Sequence, residues 1–322
     1  MKRLICEISI GSLTTTFVRR FEIESTWDKF TDTAIVELPR LIVYRKERKR
    51  IENLVSVGDP VEIKAGYLPN LESRFVGFVS KIEPNVVTKI HCQDGAWLCK
   101  QKAINFSGEK MTVKKLITDN FPSGLGSINA IDAQIGSLRI KNMTLSQIID
   151  KIRTTYGVRT WFKGLDIYSG LPYIQGDGKT HEISFQRDIP LNGSSLEYQD
   201  GENIKLKVKA ISIQPDNTKI ETEVGDADGE QRTFTTYNVT SVAELKKLAE
   251  QHANDLKFTG FRGTFQMFGE PMIQHGDKII LTDELNPERG DGSTKYGVKA
   301  VRNEFDVTSG FRQVIELGQK AG

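Results

Sequence analysis

The sequence predicts a mainly β protein that carries an α+β insertion. Three observations predict this fold class. Short alternating or apolar runs separated by turn residues occupy residues 1–95 and return over residues 201–322. Helical periodicity appears between these regions, over residues 96–200. A strand–turn pattern also occurs near both ends of the chain, which indicates two related β-domains.

The repeated pattern is a Gly-Asp turn followed by an apolar strand, a polar turn and a glycine that opens a second strand. Its key positions are Gly58, Asp59 and Gly77 in the first copy and Gly276, Asp277 and Gly297 in the second. One interpretation is that Gly-Asp before a β-branched strand is simply a common turn, and the other is a duplicated β-domain. Duplication suits a protein that builds a symmetrical ring better than one with a single catalytic cleft.

Residues 1–95 predict the first β-domain. Apolar residues that alternate with polar ones mark strands at 4–10, 17–24, 33–38 and 60–65, and glycine, asparagine or proline lies between them. Several short strands at this spacing are typical of a barrel or a sandwich.

Residues 96–200 predict a small α+β module. Thr112 is placed to cap a helix whose apolar residues share one face. Thr144 and Gln147 form a capping box for a second helix, which Gly157 is placed to end. The strand pattern that follows predicts a hairpin around a Lys-Gly turn.

Residues 201–322 predict the second β-domain with one long helix at about 242–257, which Ser241 opens with another capping box. The acidic segment from Asp226 to Glu230 predicts a polar hairpin turn and not a calcium loop, because its glycine comes too early for an EF-hand. No proline- or serine-rich linker separates the three regions. We therefore expect them to pack closely, with strands that cross their boundaries.

The composition is that of a folded protein without the charge of a nucleic-acid binder. The 322 residues suffice for two or three domains, and the net charge is only +2. Cys6, Cys92 and Cys99 form no disulfide framework and fit buried apolar positions. The sequence shows neither a signal peptide nor a run of ~20 apolar residues, so we expect synthesis in a cytoplasm without membrane insertion.

The sequence contains no recognisable catalytic, cofactor-binding or metal-binding motif. None of the histidines has the spacing of a zinc hydrolase: they are His91, His181, His252 and His275. There is no nucleophile elbow and no P-loop, and the glycine pair at 124–126 lacks a third glycine. Arg289-Gly290-Asp291 could be an adhesion tripeptide, but an ordinary turn is favoured. We predict that the protein is not an enzyme and has no catalytic residue, cofactor or metal.

Two other groups of side chains are candidates for binding. Residues 45–50 form the densest basic run, for which protection of a strand edge by charge is favoured over a ligand role. Four aromatic residues could line a sugar site, although aromatics at strand spacing more often belong to a core or an interface. They are Trp97, Trp161, Tyr168 and Tyr173.

Three segments carry a family resemblance. Residues 90–94 form a strand that leads into a helix at 111–117, and residues 143–158 form a helix that ends at a glycine and enters a strand. The third segment, Gly269 to Ile279, places a Gly-x-Pro sequence a few residues before a Gly-Asp turn. Together they resemble the baseplate hub family of contractile phage tails, also called late control proteins. The same fold forms the N-terminal part of the type VI secretion spike protein.

The resemblance implies two tube-type β-barrels per chain with the α+β module between or beside them. It also implies a homotrimer, in which three chains give a ring of six similar barrels. Such a trimer would be a structural symmetry adaptor that joins a six-fold tail tube protein to a three-fold central spike protein and contacts other baseplate proteins. The spike is expected on a separate chain, since no spike extension follows Gly322. The expected location is the virion tail baseplate, after synthesis in the cytoplasm of a bacterial host.

Two alternatives remain open. The first is a β-protein that binds or hydrolyses glycan or peptidoglycan. The second is an adhesin or receptor-binding tail component, which would usually show exposed repeats, and none is visible in the sequence. Mass measurement together with a cell-wall binding assay separates the hub from the glycan-acting protein.

Overall fold

The computed structural model describes residues 3–170, 178–190, 192–214, 218–237, 239–257 and 259–320. Tyr173, one of the aromatic candidates, lies outside these residues. Strands dominate the described chain and helices are few, so the predicted mainly β class with a small α module is confirmed. No helix in the described ranges is long and apolar enough to cross a membrane.

The first β unit consists of the strands that precede residue 95. They are β1 Leu4–Ile10, β2 Leu13–Thr15, β3 Arg20–Thr26, β4 Thr33–Pro39, β5 Leu41–Tyr44, β6 Glu47–Arg50, β7 Pro60–Tyr67, β8 Asn70–Glu83 and β9 Val87–Gln93. Seven of them lie in the order β2-β1-β7-β8-β9-β4-β3 with antiparallel neighbours. Their alternating apolar residues face one core, where Ile8, Phe21, Val36, Ile63 and Ile90 are fully buried. β5 and β6 form a separate hairpin.

The α+β module follows a 3-10 helix at Gly95–Lys100. Its elements are β10 Ala103–Thr112, α1 Val113–Asn120, β11 Ile128–Ala130, β12 Gln134–Thr144, α2 Leu145–Tyr156, β13 Arg159–Lys163 and β14 Asp166–Gly170. β10 pairs with β12, and β14 lies between β11 and β13. The apolar faces of both helices pack into the core of the module.

The predicted helix signals of the module are confirmed. The Thr112 hydroxyl accepts a hydrogen bond from the Lys115 backbone N–H at 3.1 Å. Thr144 and Gln147 make the reciprocal bonds of a capping box, and Gly157 ends α2 with φ +69°. The expected hairpin follows as β13 and β14.

The second β unit has strands on both sides of an inserted unit. Its strands are β15 Thr180–Ser184, β16 Glu197–Gln199, β20 Gly260–Arg262, β21 Thr264–Phe268, β22 Lys278–Thr282, β23 Asp291–Asp306 and β24 Gly310–Lys320. The inserted unit contains β17 Leu206–Ile213, β18 Lys219–Gly225, β19 Glu230–Tyr237 and α3 Val242–Leu256. It has its own core, in which α3 packs against β17.

The observed packing corrects two of the predicted boundaries. β15 and β16 belong with the second β unit and not with the module before residue 200. The long helix α3 lies in the inserted unit, not in the second β unit itself, because Leu245 and Ala249 pack with Leu206 and Val208. The segment from Asp226 to Glu230 is not a hairpin turn, since β18 and β19 lie on opposite sides of β17. Local patterns predict elements but not which elements share a core.

The two β units share a single hydrogen-bonded sheet of twelve strands. The long strand β23 joins them: its residues 291–297 pair with β22, and its residues 300–306 pair with β3 of the first unit. The sequence predicts two barrels separated by the module, whereas the structure connects the units directly through β23 and β3. A strand therefore crosses the boundary, as expected from the missing linkers.

Aromatic packing explains why this connection forms. Phe305 and Phe311, from the last hairpin, lie in the core of the first β unit and not in that of the second. Phe305 stacks on Phe21 with ring centroids 5.4 Å apart, and Phe311 meets the same ring edge-on at 5.9 Å. The first core is therefore completed by residues almost three hundred positions away.

Replacing Phe311 with alanine tests this dependence. We expect Phe311→Ala to lower the free energy of unfolding by about 4 kcal/mol, because a fully buried ring leaves a cavity in the first core. Urea unfolding followed by circular dichroism measures the change. Phe17→Ala is the control, since Phe17 is 76% exposed, and we expect less than about 0.5 kcal/mol for it. Equal effects of the two variants would contradict the shared core.

Candidate functional site

The first Gly-Asp turn is held by four hydrogen bonds, two of which link it to β8. The Gly58 N–H donates to the Val79 carbonyl at 2.8 Å, and the Val79 N–H donates to the Asp59 carbonyl at 2.9 Å. The Asp59 N–H donates to the Ser56 carbonyl at 3.1 Å, and the Ser56 N–H returns a bond to Asp59 Oδ2 at 2.8 Å. Gly58 has φ +92°, a backbone conformation that favours glycine.

The second Gly-Asp turn repeats this set of bonds. The Gly276 N–H donates to the Val298 carbonyl at 2.9 Å, and the Val298 N–H donates to the Asp277 carbonyl at 2.8 Å. The Asp277 N–H donates to the Gln274 carbonyl at 3.1 Å, and the Gln274 N–H donates to Asp277 Oδ2 at 2.9 Å. Gly276 has φ +86°. Each of the four hydrogen bonds in the first turn therefore has an equivalent in the second.

The sequence pattern matches Gly77 of the first copy with Gly297 of the second, and the structure shows that this match is wrong by one residue. The bonded turns make Val79 equivalent to Val298, so that Gly77 corresponds to Tyr296 and not to Gly297. Gly77 is needed for a different reason: a Cβ there would lie 2.1 Å from the carbonyl oxygen of Gln93. The glycine match was therefore coincidental, whereas the Gly-Asp match was structural.

The strand order extends the equivalence beyond the turns. The first unit has neighbours β7-β8-β9-β4-β3, and the second has β22-β23-β24-β21 followed by the 194–199 segment. These neighbours are antiparallel in both units and follow one another in the same chain order. The inserted unit occupies the connection that corresponds to the short β3–β4 turn. One difference is that β15 runs parallel to β22, whereas β1 runs antiparallel to β7.

A buried arginine connects the two β units. The Arg74 side chain is fully buried, and its guanidinium donates to the Ala65 carbonyl at 3.1 Å and to the Gly269 carbonyl at 2.9 Å. It also contacts Glu72 Oε2 at 2.9 Å and lies 5.0 Å from the centroid of the Phe311 ring. Desolvation lowers the pKa of Arg74, and the carboxylate of Glu72 acts against this shift. No motif marked this residue, because its partners in the second unit, Gly269 and Phe311, are distant in sequence.

Buried acidic groups form a second contact between the units. Asp94 Oδ2 accepts the Asp32 N–H at 2.7 Å, and Asp94 Oδ1 accepts the Ala96 N–H at 3.0 Å. Burial, with the nearby Asp32 carboxylate, raises the pKa of Asp94 well above its usual range. His275 of the second turn brings its Nε2 within 3.6 Å of Asp32. The second Gly-Asp turn thus packs against the end of the first unit.

Asp277 anchors the start of the second β unit. Its Oδ1 accepts the Lys179 N–H at 3.0 Å, and its Oδ2 lies 3.1 Å from His181 Nε2. Burial acts to raise the pKa of Asp277, but the hydrogen bonds from His181, Gln274 and Lys179 outweigh it and lower the pKa.

The remaining histidines and the cysteines have structural surroundings. His91 lies 3.4 Å from Glu83, and the His252 ring lies 4.9 Å from the ring of Phe234. Burial raises the pKa of each cysteine thiol to about 12, so these thiols are poor nucleophiles. Within the described residues, no group of three or more His, Cys, Asp or Glu side chains is placed to hold a metal ion.

The three aromatic candidates that the structure describes, Trp97, Trp161 and Tyr168, do not form one exposed platform. Trp161 is 1% exposed and stacks on Tyr168 with centroids 5.9 Å apart. Trp97 stacks on Phe78 and covers the glycine of the first Gly-Asp turn. A surface groove of about 440 Å³ lies elsewhere, and its charged lining residues carry both signs. They are Glu24, Asp28, Lys29, Lys299, Arg302 and Glu316.

The loop and hairpin candidates are parts of connections between elements. Arg289 and Gly290 end the β22–β23 connection and Asp291 begins β23; Gly290 is buried, and the exposed Arg289 approaches the Asp283 and Glu288 carboxylates. Asp226 accepts hydrogen bonds from the Leu206 N–H and from Lys257. The basic run at 45–50 spans the tip of the β5–β6 hairpin and the whole of β6.

We call the contact between the two β units around Arg74 the seam. Removing the Arg74 guanidinium tests how much this seam contributes to the free energy of unfolding. We expect Arg74→Ala to cost about 3 kcal/mol of unfolding free energy, because two buried carbonyl oxygens lose their donor. Arg74→Lys should recover only part of this, since an ammonium cannot reproduce the fork of donors. Urea unfolding measures both. Lys64→Ala, which removes a surface pair with Glu62, should cost less than about 1 kcal/mol; a similar loss at both sites would contradict the role of Arg74.

Asp277→Asn gives a prediction with a defined pH dependence. Because the folded-state pKa is lowered, the ionised carboxylate stabilises the fold above the ordinary aspartate pKa of about 3.9 and loses this effect as pH falls through the lowered value. We expect a loss of about 2 kcal/mol at pH 7 that shrinks below about pH 4. Urea unfolding at several pH values measures it. Asp59→Asn is the control: Asp59 lies in the equivalent but less buried turn, so this variant should lose less free energy of unfolding. If the loss for Asp277→Asn did not change with pH, the ionised Asp277 carboxylate would not be the stabilising group.

Comparisons with known proteins identify the fold. No protein-family model matches the sequence, and no curated protein matches it. The tail protein of Neisseria meningitidis MC58 has a similar structure, with a TM-score of 0.66 and 16% identity over 98% of this chain and 96% of that chain. The 43 kDa tail protein of prophage MuSo2 from Shewanella oneidensis gives a TM-score of 0.65 and 12% identity over 98% of both chains.

A chain from a VgrG complex is also similar. This chain of the Francisella PdpA-VgrG complex matches with a TM-score of 0.60 and 14% identity, over 99% of the present chain and 58% of that chain. These identities are low, so the similarity concerns the fold. The present chain has the fold of these tail proteins and of the chain from the VgrG complex, as the sequence resemblance implied.

Proposed function

We propose that the chain is the structural hub of a contractile tail or a related injection machine. Three copies would form an adaptor that joins a six-fold tail tube to a three-fold central spike. The observation that carries this proposal is the repetition of the Gly-Asp turn, with the same four hydrogen bonds and the same strand order around it. Two equivalent units per chain let three chains present six similar surfaces.

The chemistry of the described residues supports a structural role. Buried polar groups of the two β units form hydrogen bonds with each other across the seam. The cysteine thiols are buried, and their raised pKa keeps them protonated. We propose no catalytic step and no cofactor. The partners in this proposal are two further copies of the chain, a tube protein, a spike protein and other baseplate proteins. The proposed location is the tail baseplate of the particle, after synthesis in the cytoplasm of a bacterial host.

The molar mass of the assembled protein tests the proposal. Size-exclusion chromatography with light scattering should give three times the 36.2 kDa mass of the chain alone, or that mass plus the mass of the bound spike after a spike protein is added. A strict monomer under both conditions would contradict the adaptor. Binding to or cleavage of purified peptidoglycan by such a monomer would instead support the glycan-acting alternative.

A further inference from the structure

The β5–β6 hairpin has one buried face and one exposed face. Register places Leu41 opposite Arg50 and Val43 opposite Arg48, so these four side chains share a face. The other face holds Ile42 and Tyr44 against the core of the first β unit. Because that packing fixes the hairpin, its outer face is a defined surface.

The outer face of the hairpin combines exposed aliphatic groups with cations. Leu41 is 59% exposed and Val43 is 73% exposed. Arg48 and Arg50 are exposed, and the ion pair of the hairpin joins Lys49 to Glu47 on the other face. A two-stranded hairpin is marginally stable alone, and exposed aliphatics beside guanidinium groups are typical of a protein interface. The face therefore matches an apolar patch bordered by carboxylates.

Such a patch occurs on the same chain, in the β22–β23 loop. Leu285 is 77% exposed, and its neighbours Glu284 and Glu288 are exposed carboxylates. The loop is ordered by the buried Asp283, whose Oδ1 accepts the N–H groups of Leu285 and Asn286, both at 3.1 Å. We name these three exposed residues, 284, 285 and 288, the acidic loop face.

The hairpin and the acidic loop face lie at opposite ends of the large sheet. The Tyr44 hydroxyl donates to the carbonyl of Ser12, in the turn between β1 and the terminal strand β2, at 3.3 Å. At the other end, Gln186 follows the terminal strand β15 and bonds to Asp283 at 2.8 Å and to the Glu284 N–H at 3.1 Å. Because the two surfaces belong to different elements at the two ends of the strand order, a contact between them in neighbouring copies would be head-to-tail.

We propose that the outer face of the hairpin of one copy docks onto the acidic loop face of the next copy. Leu41 and Val43 would surround Leu285, while Arg48 and Arg50 face Glu284 and Glu288. Repetition of this contact closes a ring of three when each copy is rotated by one third of a turn from the one before it. The inference rests on the proposed function and names the contact that holds the trimer together.

A second copy explains this surface better than a nucleic acid does. Half of the outer face is aliphatic, and a phosphate backbone would leave these side chains exposed to water. The whole chain also carries a net charge of only +2, which is low for a protein that binds nucleic acid. The two arginines would meet two carboxylates, of which Glu288 lies 4.0 Å from Arg289 of its own loop and Glu284 is exposed. Since all of these side chains are exposed, charge reversal should change assembly without changing the fold.

Charge reversal and charge exchange test the contact by sedimentation velocity of the full chain. The hairpin variant is Arg48→Glu with Arg50→Glu, and the loop variant is Glu284→Arg with Glu288→Arg. Either variant should raise the dissociation constant of self-association at least about tenfold. The chain with all four changes should return to within about threefold of the original value. Lys246→Glu with Lys247→Glu, on the exposed face of α3, is the matched control and should have little effect.

The outcomes separate this inference from the proposed function. A trimer that is unaffected by either reversal would overturn the hairpin contact and leave the trimeric hub standing. If both reversed chains assemble weakly and the chain with all four changes does not recover, the direct pairing of the two arginines with the two glutamates would also be overturned. An unmodified chain that stays monomeric at every concentration, both alone and with a spike protein added, would overturn both proposals. Circular dichroism melts verify that each variant is folded.

Discussion

The structure depends on the sharing of strand β23 between the two β units. One half of this strand belongs to the second unit, and the other half pairs with β3 and delivers Phe305 to the core of the first. Arg74 fixes the same seam with buried hydrogen bonds to carbonyl oxygens from both units. Because the first core is completed by Phe305 and Phe311 and buried hydrogen bonds cross the junction, the two units cannot move as independent domains. A rigid pair is what a ring of alternating units requires.

Duplication sets the symmetry of this chain, and insertion breaks it. The two Gly-Asp turns and the strand order around them are equivalent, but the β3–β4 turn of the first unit is replaced in the second by a unit with its own sheet and helix. The core of the repeated sheets is left intact because the addition enters at a connection, where longer chains cost little free energy. Each chain can thus offer similar sheets to one partner and different appendages to another.

Much of the local structure could be predicted from the sequence, and the long-range structure could not. Thr112, Thr144 and Gly157 act within a few residues, so their caps were visible in the sequence. The Gly-Asp turn was also local, although the second glycine match was off by one position because spacing alone cannot register two strands. No sequence pattern predicted that Arg74 and Phe311 connect the two units, since their partners across the seam lie far away in the chain. The placement of α3 was missed for the same reason: an amphipathic pattern does not specify which sheet it covers.

The equivalence of the two units in an assembled ring is the central claim. Electron cryomicroscopy of the assembled protein, viewed along its symmetry axis, tests it most directly. The account predicts three copies arranged so that six similar β units alternate around a central opening, with the inserted units marking three-fold positions. A particle in which the two units of each chain occupy unrelated radii or orientations would contradict it.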